Sequence, residues 1–442
     1  MILREPSAIK RNETKMSIRH RDGTLISRRR RLFGVVAAAA ATVLVLAGCS
    51  GGGEGSNGSS TDADEVDTSL DYDEAAVQEI VDTAFGVEMP LSELPEEAVE
   101  GFARASIELS PEQVQTALDC WKQPECTVGD GDVHIGVFNA VDNLWQTTAA
   151  MNVILQALTY PEVGTITYAF VDDLPSAQSA VRSMVSSGVD AIVSYNAFGA
   201  AMSPVFTEAQ AAGTVVTTYV GETPEADGSV INNQVYAEAC EGGTEMGGVL
   251  VDALGLSSNE EVAFFFGVPG NPQDTLVQSC LEEELANSDG PEIAFNQDTD
   301  WTRPGTSAAA SALISSGIPA AAILNTYADP MPQVVNVYDQ AGEDVPPILT
   351  WTEMNEFFGI WEERLGTDRE FDLYYTNALV NQARLALTNA MTLIAGEEVP
   401  ERTPLPLPLL EAVEGVYQPD LPGDFPGWSA LVPEDVMNGM LD

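Results

Sequence analysis

The chain alternates short apolar runs with longer amphipathic runs over most of its length, and this alternation restricts its fold more than any other feature. Beyond Asp132, each short run is followed by a segment with apolar residues three and four positions apart. This order is typical of strand-helix-strand units whose strands lie parallel in one sheet. The predicted strands of the first set are "VHIGVF" at 133, "TITYAFV" at 165, "DAIVSYN" at 190 and "TVVTTY" at 214.

A second set of strands begins with "VINN" at 230 and a helix through Leu256. It continues with "EVAFFFGV" at 261, "EIAFNQD" at 292, "AAAILNT" at 320 and "PPILTWT" at 346. Two sets of about a hundred residues each exceed one sheet of ordinary width, so we predict an α/β fold of two doubly wound, Rossmann-like lobes with an interlobe hinge. Ligands of such folds bind beyond the carboxyl ends of the strands, which places the site in the cleft between the lobes.

The N-terminal segment resembles an export signal. An uncharged run from Leu32 to Gly48 follows the arginine cluster 28–31, and it is shorter than the roughly 20 residues that a membrane-spanning helix needs. The stretch 46–49 resembles the lipobox of bacterial lipoproteins, which implies that Cys49 is acylated and becomes the first mature residue. An ordinary signal peptide and an uncleaved span are the alternatives. The export route, general secretory or twin-arginine, and the start codon, Met1 or Met16, stay open.

The predicted mature chain is strongly acidic. Without residues 1–48 it keeps 8 basic and 65 acidic residues, a formal charge of −57, and Lys122 is its only lysine. Such a surface repels nucleic acid and anionic lipid. It favours a saline habitat over the alternative of a merely acidic secreted protein, because salt screens the self-repulsion.

Four cysteines follow Cys49, and an even number in an exported chain suggests disulfides. Cys120 and Cys126 bracket a five-residue loop and would pair readily, which leaves Cys240 and Cys280 by elimination. The sequence alone allows three connectivities. Zinc binding is not expected, because the mature chain has a single histidine, His134, and we predict no metal or other cofactor.

The rest of the chain divides by composition. Gly, Ser and acidic residues predict a flexible tether at 49–72, and helical patterns predict an appendage of two or three helices at 73–130, with Ser110 as an N-cap. The N-terminal lobe is expected at 131–229 plus about 377–405, the C-terminal lobe at 230–376, and an extension at 406–442.

Together, these segments resemble the type I periplasmic binding proteins, the ribose-binding class of solute receptors of ABC importers. The resemblance covers roughly residues 131–405. It rests on "VHIGVFNAVDNLWQ" as the first strand and ligand loop, on "SAVRSMVSSGVDAIVSYN" and "AGTVVTTY", and on "INNQVYAEACEGGTEMGGVLVDAL" as the crossover between lobes.

The resemblance implies which residues contact the ligand. The ligand loop offers Asn139, Asn143 and Trp145, and later strand ends offer Asn196, Tyr219, Trp301, Tyr327, Trp351 and Asn377. Aromatic rings would stack on a sugar and amides would bond its hydroxyls, although any aromatic residue at a strand end serves lobe packing as readily.

One departure from the family pattern concerns arginine. Sugar receptors of this class usually carry arginines after the fourth strand and after the strand "FFFGV", but residues 219–222 and 269–274 contain none, and Arg303 is the only arginine near the predicted cleft. This departure argues against a simple aldopentose or aldohexose. It leaves a nucleoside, a modified sugar or a more aromatic ligand open.

The resemblance implies a binding protein rather than an enzyme, and the sequence has no P-loop, HExxH or Gly-x-Ser-x-Gly motif. We therefore expect a monomeric, lipid-anchored receptor on the outer face of the cytoplasmic membrane. It would bind a small neutral solute by hinge closure and deliver it to an ABC permease, with no nucleic-acid partner. The alternatives are a lipoprotein that presents its closed form to a membrane receptor kinase and a secreted glycan hydrolase.

Overall fold

The computed structural model describes residues 72–121, 123–140, 143–171, 173–269 and 271–441. The predicted signal (1–48), the predicted lipidation site Cys49 and the tether (49–72) except its last residue lie outside the described residues. Within the described ranges, no helix is both long enough and apolar enough to cross a bilayer.

The described chain contains helices and strands in regular alternation after a helical start. The helices are α1 (Glu74–Phe85), α2 (Glu96–Ala105), α3 (Pro111–Cys120), α4 (Leu144–Ala157), α5 (Leu174–Ser187), α6 (Ser203–Ala211), α7 (Ala239–Gly248), α8 (Pro272–Ser288), α9 (Arg303–Ser316), α10 (Pro332–Ala341), α11 (Asn355–Glu362), α12 (Gln382–Ile394) and α13 (Glu434–Leu441). The strands are β1 (Glu125–Thr127), β2 (Val133–Ala140), β3 (Val163–Val171), β4 (Ala191–Ser194), β5 (Val215–Val220), β6 (Asn233–Ala237), β7 (Glu261–Phe266), β8 (Glu292–Asp298), β9 (Ala320–Asn325), β10 (Ile348–Leu349), β11 (Leu373–Tyr375), β12 (Arg402–Leu405) and β13 (Leu410–Glu411).

The strands form two separate sheets, one in each lobe. The N-terminal lobe has the order β1-β3-β2-β4-β5-β6-β12, and the C-terminal lobe has the order β13-β11-β10-β9-β7-β8. Only the edge strands β1 and β13 pair antiparallel with their neighbours, and the other described pairs are parallel. Two doubly wound α/β lobes therefore form, and the predicted fold class is confirmed.

The strand that the sequence analysis placed at the start of the second lobe belongs to the first. Strand β6 lies between β5 and β12 in the N-terminal sheet, so assigning residues from 230 onward to the C-terminal lobe was wrong for this strand. Its polar side chains explain the position, because Asn233 is buried against α12 and β12, where it bonds Asn389 and Thr403. The chain first crosses between the lobes at 237–239, after β6.

Two later segments also cross between the lobes. The chain returns at 376–382 into α12, which packs on β4, β5 and β6, and it crosses a third time at 405–410 between β12 and β13. Three crossings on parallel sheets are the geometry of a hinge, since the lobes can rotate about them without unfolding.

The appendage α1–α3 is packed onto the N-terminal lobe. Helix α2 lies across α12 and α4, where Gly101 contacts Leu385 and the Arg104 guanidinium lies 3.8 Å from the centre of the Tyr160 ring. Helix α3 begins at Pro111 with Ser110 as its N-cap, as predicted. The buried apolar residues of the appendage and of the N-terminal lobe belong to one hydrophobic cluster.

Two disulfides join the cysteine pairs expected from the sequence. Cys120–Cys126 closes the end of α3 onto β1. Cys240–Cys280 joins α7 to α8 within the C-terminal lobe. Those two helices pack closely because Gly243 lies against the backbone of α8.

The C-terminal extension runs back over both lobes. After β13 it passes along the start of α11, then reaches α12 and α4, and ends in α13, which packs on α3. We call residues 418–431 the strap, since this segment spans from one lobe to the other.

Candidate functional site

Asn139 and Tyr219 meet at the carboxyl end of the N-terminal sheet. The Tyr219 hydroxyl donates to Asn139 Oδ1 (2.7 Å), and Asn139 Nδ2 donates to the carbonyl of Gln146 (2.6 Å). Both side chains are fully buried, and burial raises the pKa of the Tyr219 phenol well above its usual value. These two predicted ligand residues bond each other, although 80 positions separate them.

Trp145 spans from the N-terminal lobe to the second crossing. Asn143 is the N-cap of α4 and accepts from the amide of Gln146 (2.8 Å), which places Trp145 in the first turn. The Trp145 indole donates from Nε1 to the carbonyl of Ala378 (2.9 Å), the residue after the predicted Asn377. Asn377 is buried and its Oδ1 accepts from the amide of Leu379 (3.2 Å).

Tyr195 is a cleft residue that the sequence analysis missed. It follows β4, its ring centre lies 5.3 Å from that of Trp145, and its hydroxyl lies close to the side chain of Asn271, the N-cap of α8 in the other lobe. Burial raises its pKa above the usual range. The strand "DAIVSYN" was predicted to end here, so its tyrosine could have been chosen beside the asparagine.

Asn196, which was predicted, is buried next to Tyr195. Its Nδ2 donates to the carbonyl of Gly199 (3.1 Å) and to the Thr223 hydroxyl (2.9 Å). Its Oδ1 has no hydrogen-bond partner among the described residues, so it is an acceptor that a solute hydroxyl could satisfy.

Trp301 belongs to a polar chain in the C-terminal lobe. Its indole lies against Gly267, where a Cβ atom would come 1.9 Å from the ring, and its Nε1 donates to the Thr326 hydroxyl (3.0 Å). Thr326 in turn donates to Asp274 Oδ1 (2.6 Å), and the other oxygen of Asp274 accepts from the amide of Gly267 (2.7 Å). Burial raises the pKa of Asp274 to about 6. Neither Asp274 nor Thr326 was predicted, although the N-cap motif "NPQD" marks the first turn of α8.

Arg303 is already paired with carboxylates. Its guanidinium bonds Glu356 (2.5 Å) and Asp329 (3.1 Å), and the Glu356 carboxylate is the main cause that raises the pKa of the arginine. An arginine shared between two acids offers a solute no net positive charge. Tyr327, close to this cluster, is half-buried, and burial raises its pKa above the usual range.

Trp351 lies in the core of the hinge. It is fully buried, its ring lies against Gly242 of α7, and Leu407 of the third crossing contacts the same glycine. Its Nε1 has no hydrogen-bond partner in the described part of the chain. The contacts of Trp351 are therefore with the crossing segments, and its role toward a solute stays a prediction, as do those of the other nine residues.

A cavity of about 260 Å³ opens between the lobes beside these residues. It is lined by Val220, Glu222, Pro224, Ala237, Ala239, Gln273, Thr275, Leu276 and Ser279. Val220 has a φ of 69°, which is unusual for a β-branched residue, and Glu222 forms an ion pair with Arg402. The ten predicted residues do not line it, but Tyr219 precedes Val220 in the chain. No described group of three or more His, Cys, Asp or Glu side chains could hold a metal ion.

The chain matches a known protein family. The model of the family described as "Periplasmic binding protein domain" matches residues 135–398. No curated protein sequence matches the chain.

Solved structures show the same fold. An ABC transporter periplasmic solute-binding protein of Actinobacillus succinogenes with bound D-allose matches at 16% identity and a TM-score of 0.54, over 63% of this chain and 97% of that one. A solute-binding protein of Bacillus halodurans with bound myo-inositol matches at 17% identity and a TM-score of 0.55, over 64% of this chain and 95% of that one. The fructose-binding periplasmic domain of a hybrid two-component system matches at 13% identity and a TM-score of 0.53, over 63% of this chain and 90% of that one.

Proposed function

This chain belongs to the periplasmic binding protein family, whose members are binding receptors rather than enzymes, and we propose that it is the solute receptor of an ABC importer. In this proposal it is anchored by an acylated Cys49 on the outer face of the cytoplasmic membrane. It binds one small neutral sugar or sugar-like solute in the interlobe cleft and presents the closed form to the permease as a monomer.

One observation carries the proposal: aromatic and amide side chains from both lobes meet at the carboxyl ends of the two sheets. Trp145 bonds Ala378 of the second crossing, and Tyr195 of the N-terminal lobe lies close to Asn271 of the C-terminal lobe. Such a set suits a ligand with an apolar face and hydroxyl groups. Because Arg303 is paired with two acids, the set also favours a neutral ligand over an anion.

The similar structures support the same class of solute. Their bound ligands include D-allose and myo-inositol, both neutral polyhydroxy compounds. At these identities the likeness establishes the fold, so the identity of the solute has to come from binding experiments.

Isothermal titration of the mature chain against sugars, polyols and nucleosides tests the proposal. We expect at least one compound to bind, and Trp301→Ala to weaken its binding at least tenfold, because ring stacking and the Thr326 contact are lost. Tyr417→Ala is the matched control, since that ring packs on Gly359 of α11. Failure of the whole panel to bind would contradict the transport proposal.

The membrane anchor is tested separately. The tether predicted from composition at 49–72 would, as a random coil, give roughly 25–30 Å of reach, enough for the receptor to close near its permease. A single acyl chain binds a membrane only marginally, so the proposal requires more than one at Cys49. We expect the exported protein to partition into detergent, and Cys49→Ser to leave it in the aqueous phase. Partition of both forms into water would overturn the anchor.

The second candidate function is sensing, in which the closed form is presented to a membrane receptor kinase. It is favoured by the structural match to the periplasmic domain of a hybrid two-component system. Genes for a permease and an ATPase beside the gene for this chain would support import, and a neighbouring sensor kinase gene would support sensing.

A further inference from the structure

The strap is bound to the C-terminal lobe through the start of α11. Asn355 is buried there, and its Nδ2 lies within hydrogen-bond distance of the carbonyls of Gln418 (2.9 Å) and Pro422 (3.0 Å). Its Oδ1 accepts from the amide of Gln418 (2.9 Å), and its own amide donates to the carbonyl of Phe425 (3.0 Å). One asparagine thus holds the first part of the strap.

The other end of the strap is bound to the N-terminal lobe by three consecutive carbonyls. Those of Ser429, Ala430 and Leu431 accept from Asn381 (2.7 Å), Asn152 (3.0 Å) and Arg384 (2.9 Å), respectively. The three donors are buried on α12, on α4 or just before α12. Beyond the strap, α13 packs on α3, with Gly439 against Leu118. Three separate side chains hold this end, whereas the other end is held by the side chain of Asn355 and by the amides of Asn355 and Glu356.

Near its C-terminal end the strap also bonds the second crossing. The Ser429 hydroxyl accepts from the amide of Ala378 (2.6 Å), and Ser429 lies next to the buried carboxyl of Glu353 in the C-terminal lobe. Gly427 contacts the same carboxyl closely, since a Cβ there would lie 1.6 Å from Glu353 Oε2. The carbonyl of Ala378 accepts the hydrogen bond from the Trp145 indole, while its amide donates to the strap. Ala378 therefore links the strap to the predicted ligand residue Trp145.

We propose that the strap is a non-covalent clamp between the lobes that favours the closed arrangement and positions Ala378, and through it Trp145. The proposal rests on the hinge closure of the proposed function, and it adds that the strap restrains the opening of the cleft. Opening the cleft separates α11 from α12, so one end of the strap has to release. The end at the C-terminal lobe releases first, because the side chain of a single residue, Asn355, makes its side-chain bonds. The strap therefore acts like a fourth connection beside the three crossings.

The test measures the distance between the lobes without any solute. Spin labels are attached to the cysteines introduced by Ser183→Cys in α5 and Ser315→Cys in α9, two exposed positions. The distance between the labels is measured by pulsed electron paramagnetic resonance. We expect one narrow distribution for the labelled protein. Asn355→Ala should add a longer distance and raise the open-to-closed ratio about tenfold, because several strap bonds lose their partner. Asp424→Asn, on an exposed residue of the strap, is the matched control and should change nothing.

Further measurements keep the proposal falsifiable. Asn381→Ala should shift the same distribution from the other end of the strap. In the unmodified chain without solute, the amides of Asn355 and Glu356 donate to carbonyls of the strap and should be protected from hydrogen exchange. Folded variants with unchanged distances, or fast exchange of both amides, would overturn the clamp. Because these measurements are made without solute, they test the clamp even if no compound of the titration panel binds. Binding of a sugar would likewise not support the clamp if the distances stay unchanged.

Discussion

The two lobes have the same architecture but are covered to different extents. In the N-terminal lobe, α4 and α12 are buried along most of their length beneath the appendage and the strap. In the C-terminal lobe, α9 buries only Thr306, Ala309, Ala310 and Leu313, and its remaining surface is more exposed to solvent. The N-terminal lobe thus has an added outer layer over α4 and α12, whereas α9 of the C-terminal lobe faces solvent as in an ordinary doubly wound sheet.

The difference extends to the ionisable groups that the lobes bury beside the strap. The N-terminal lobe buries Arg384, bonded to Asn152, Gln156 and the strap carbonyl of Leu431. The C-terminal lobe buries Glu353, whose carboxyl lies against Gly427 and Ser429 of the strap. Burial lowers the pKa of the arginine to about 9 and raises that of the glutamate to about 8. The added layer is therefore bound through groups that are costly to leave unpaired.

The largest expected effect concerns the pH dependence produced by Glu353. The folded chain holds this proton up to about pH 8, whereas the carboxyl in the unfolded chain has its ordinary pKa of 4.5. The free energy of unfolding should therefore fall as the pH rises between these values, by on the order of 5 kcal/mol at 1.36 kcal/mol per pKa unit, and level off above them. Urea unfolding across this range measures it. Glu353→Gln should flatten the slope, apart from the part below pH 6 that Asp274 contributes in the same direction. An unchanged slope would refute the assignment.

The two disulfides contrast a long loop in the C-terminal lobe with a short one beside the N-terminal lobe. Cys240–Cys280 joins residues 40 positions apart and Cys120–Cys126 joins residues 6 apart. From loop-closure entropy, replacing the first pair by serine should cost about 4 kcal/mol and the second about 2 kcal/mol. Thermal and urea unfolding of the two double variants measure the costs. Equal costs, or the reverse order, would contradict this explanation.

Arg384→Ala tests whether the buried arginine holds the outer layer of the N-terminal lobe. It leaves three buried acceptors without their donor, and we expect a loss of about 3 kcal/mol in the free energy of unfolding. The matched control in the C-terminal lobe is Arg369→Ala, because this arginine is 57% exposed and pairs with Asp339. The control should cost less than about 1 kcal/mol. Similar losses for both variants would count against the comparison.

The smallest effects come from two helical glycines. In Gly101→Ala the new methyl would lie 2.8 Å from Leu385 Cγ and 3.1 Å from its Cα, so we expect a loss of about 1–3 kcal/mol from overpacking. In Gly248→Ala nothing lies within 4 Å of the methyl, and the helical backbone should gain about 0.5–1 kcal/mol. Melting temperatures that shift in opposite directions would support a tight outer layer, and a neutral Gly101→Ala would argue against it.

Much of the fold could be predicted because its signals are local. The strand and helix periodicities, the cap at Ser110 and the pairing of Cys120 with Cys126 each involve residues close in the chain. Strand β6 pairs with the nearby β5, but the buried side-chain partners of its Asn233, which are Asn389 and Thr403, lie 156 and 170 positions away, so its place in the N-terminal sheet was missed. The local sequence "INNQVYA" predicts a strand but does not indicate which of the two sheets it joins.

The candidate site was predicted only in part for the same reason. Strand ends were located well enough to choose Asn139, Trp145 and Trp301. Their partners Tyr219, Ala378 and Thr326 are brought near by the sheets and crossings, and Tyr195 and Asp274 were not chosen. A resemblance to a family indicates which positions face a cleft, but it does not indicate which side chains already bond each other there.

By itself, the sequence determined that this chain forms two parallel α/β lobes around a cleft, because apolar periodicity and helix caps act over a few residues. Only the tertiary structure decided that Arg303 is neutralised by two acids, that Trp351 lies in the hinge, and that the C-terminal extension is a strap. These features depend on contacts between segments far apart in the chain, such as Asn152 with Ala430, 278 positions away. Such contacts exist only once both sheets have formed and placed their surfaces side by side.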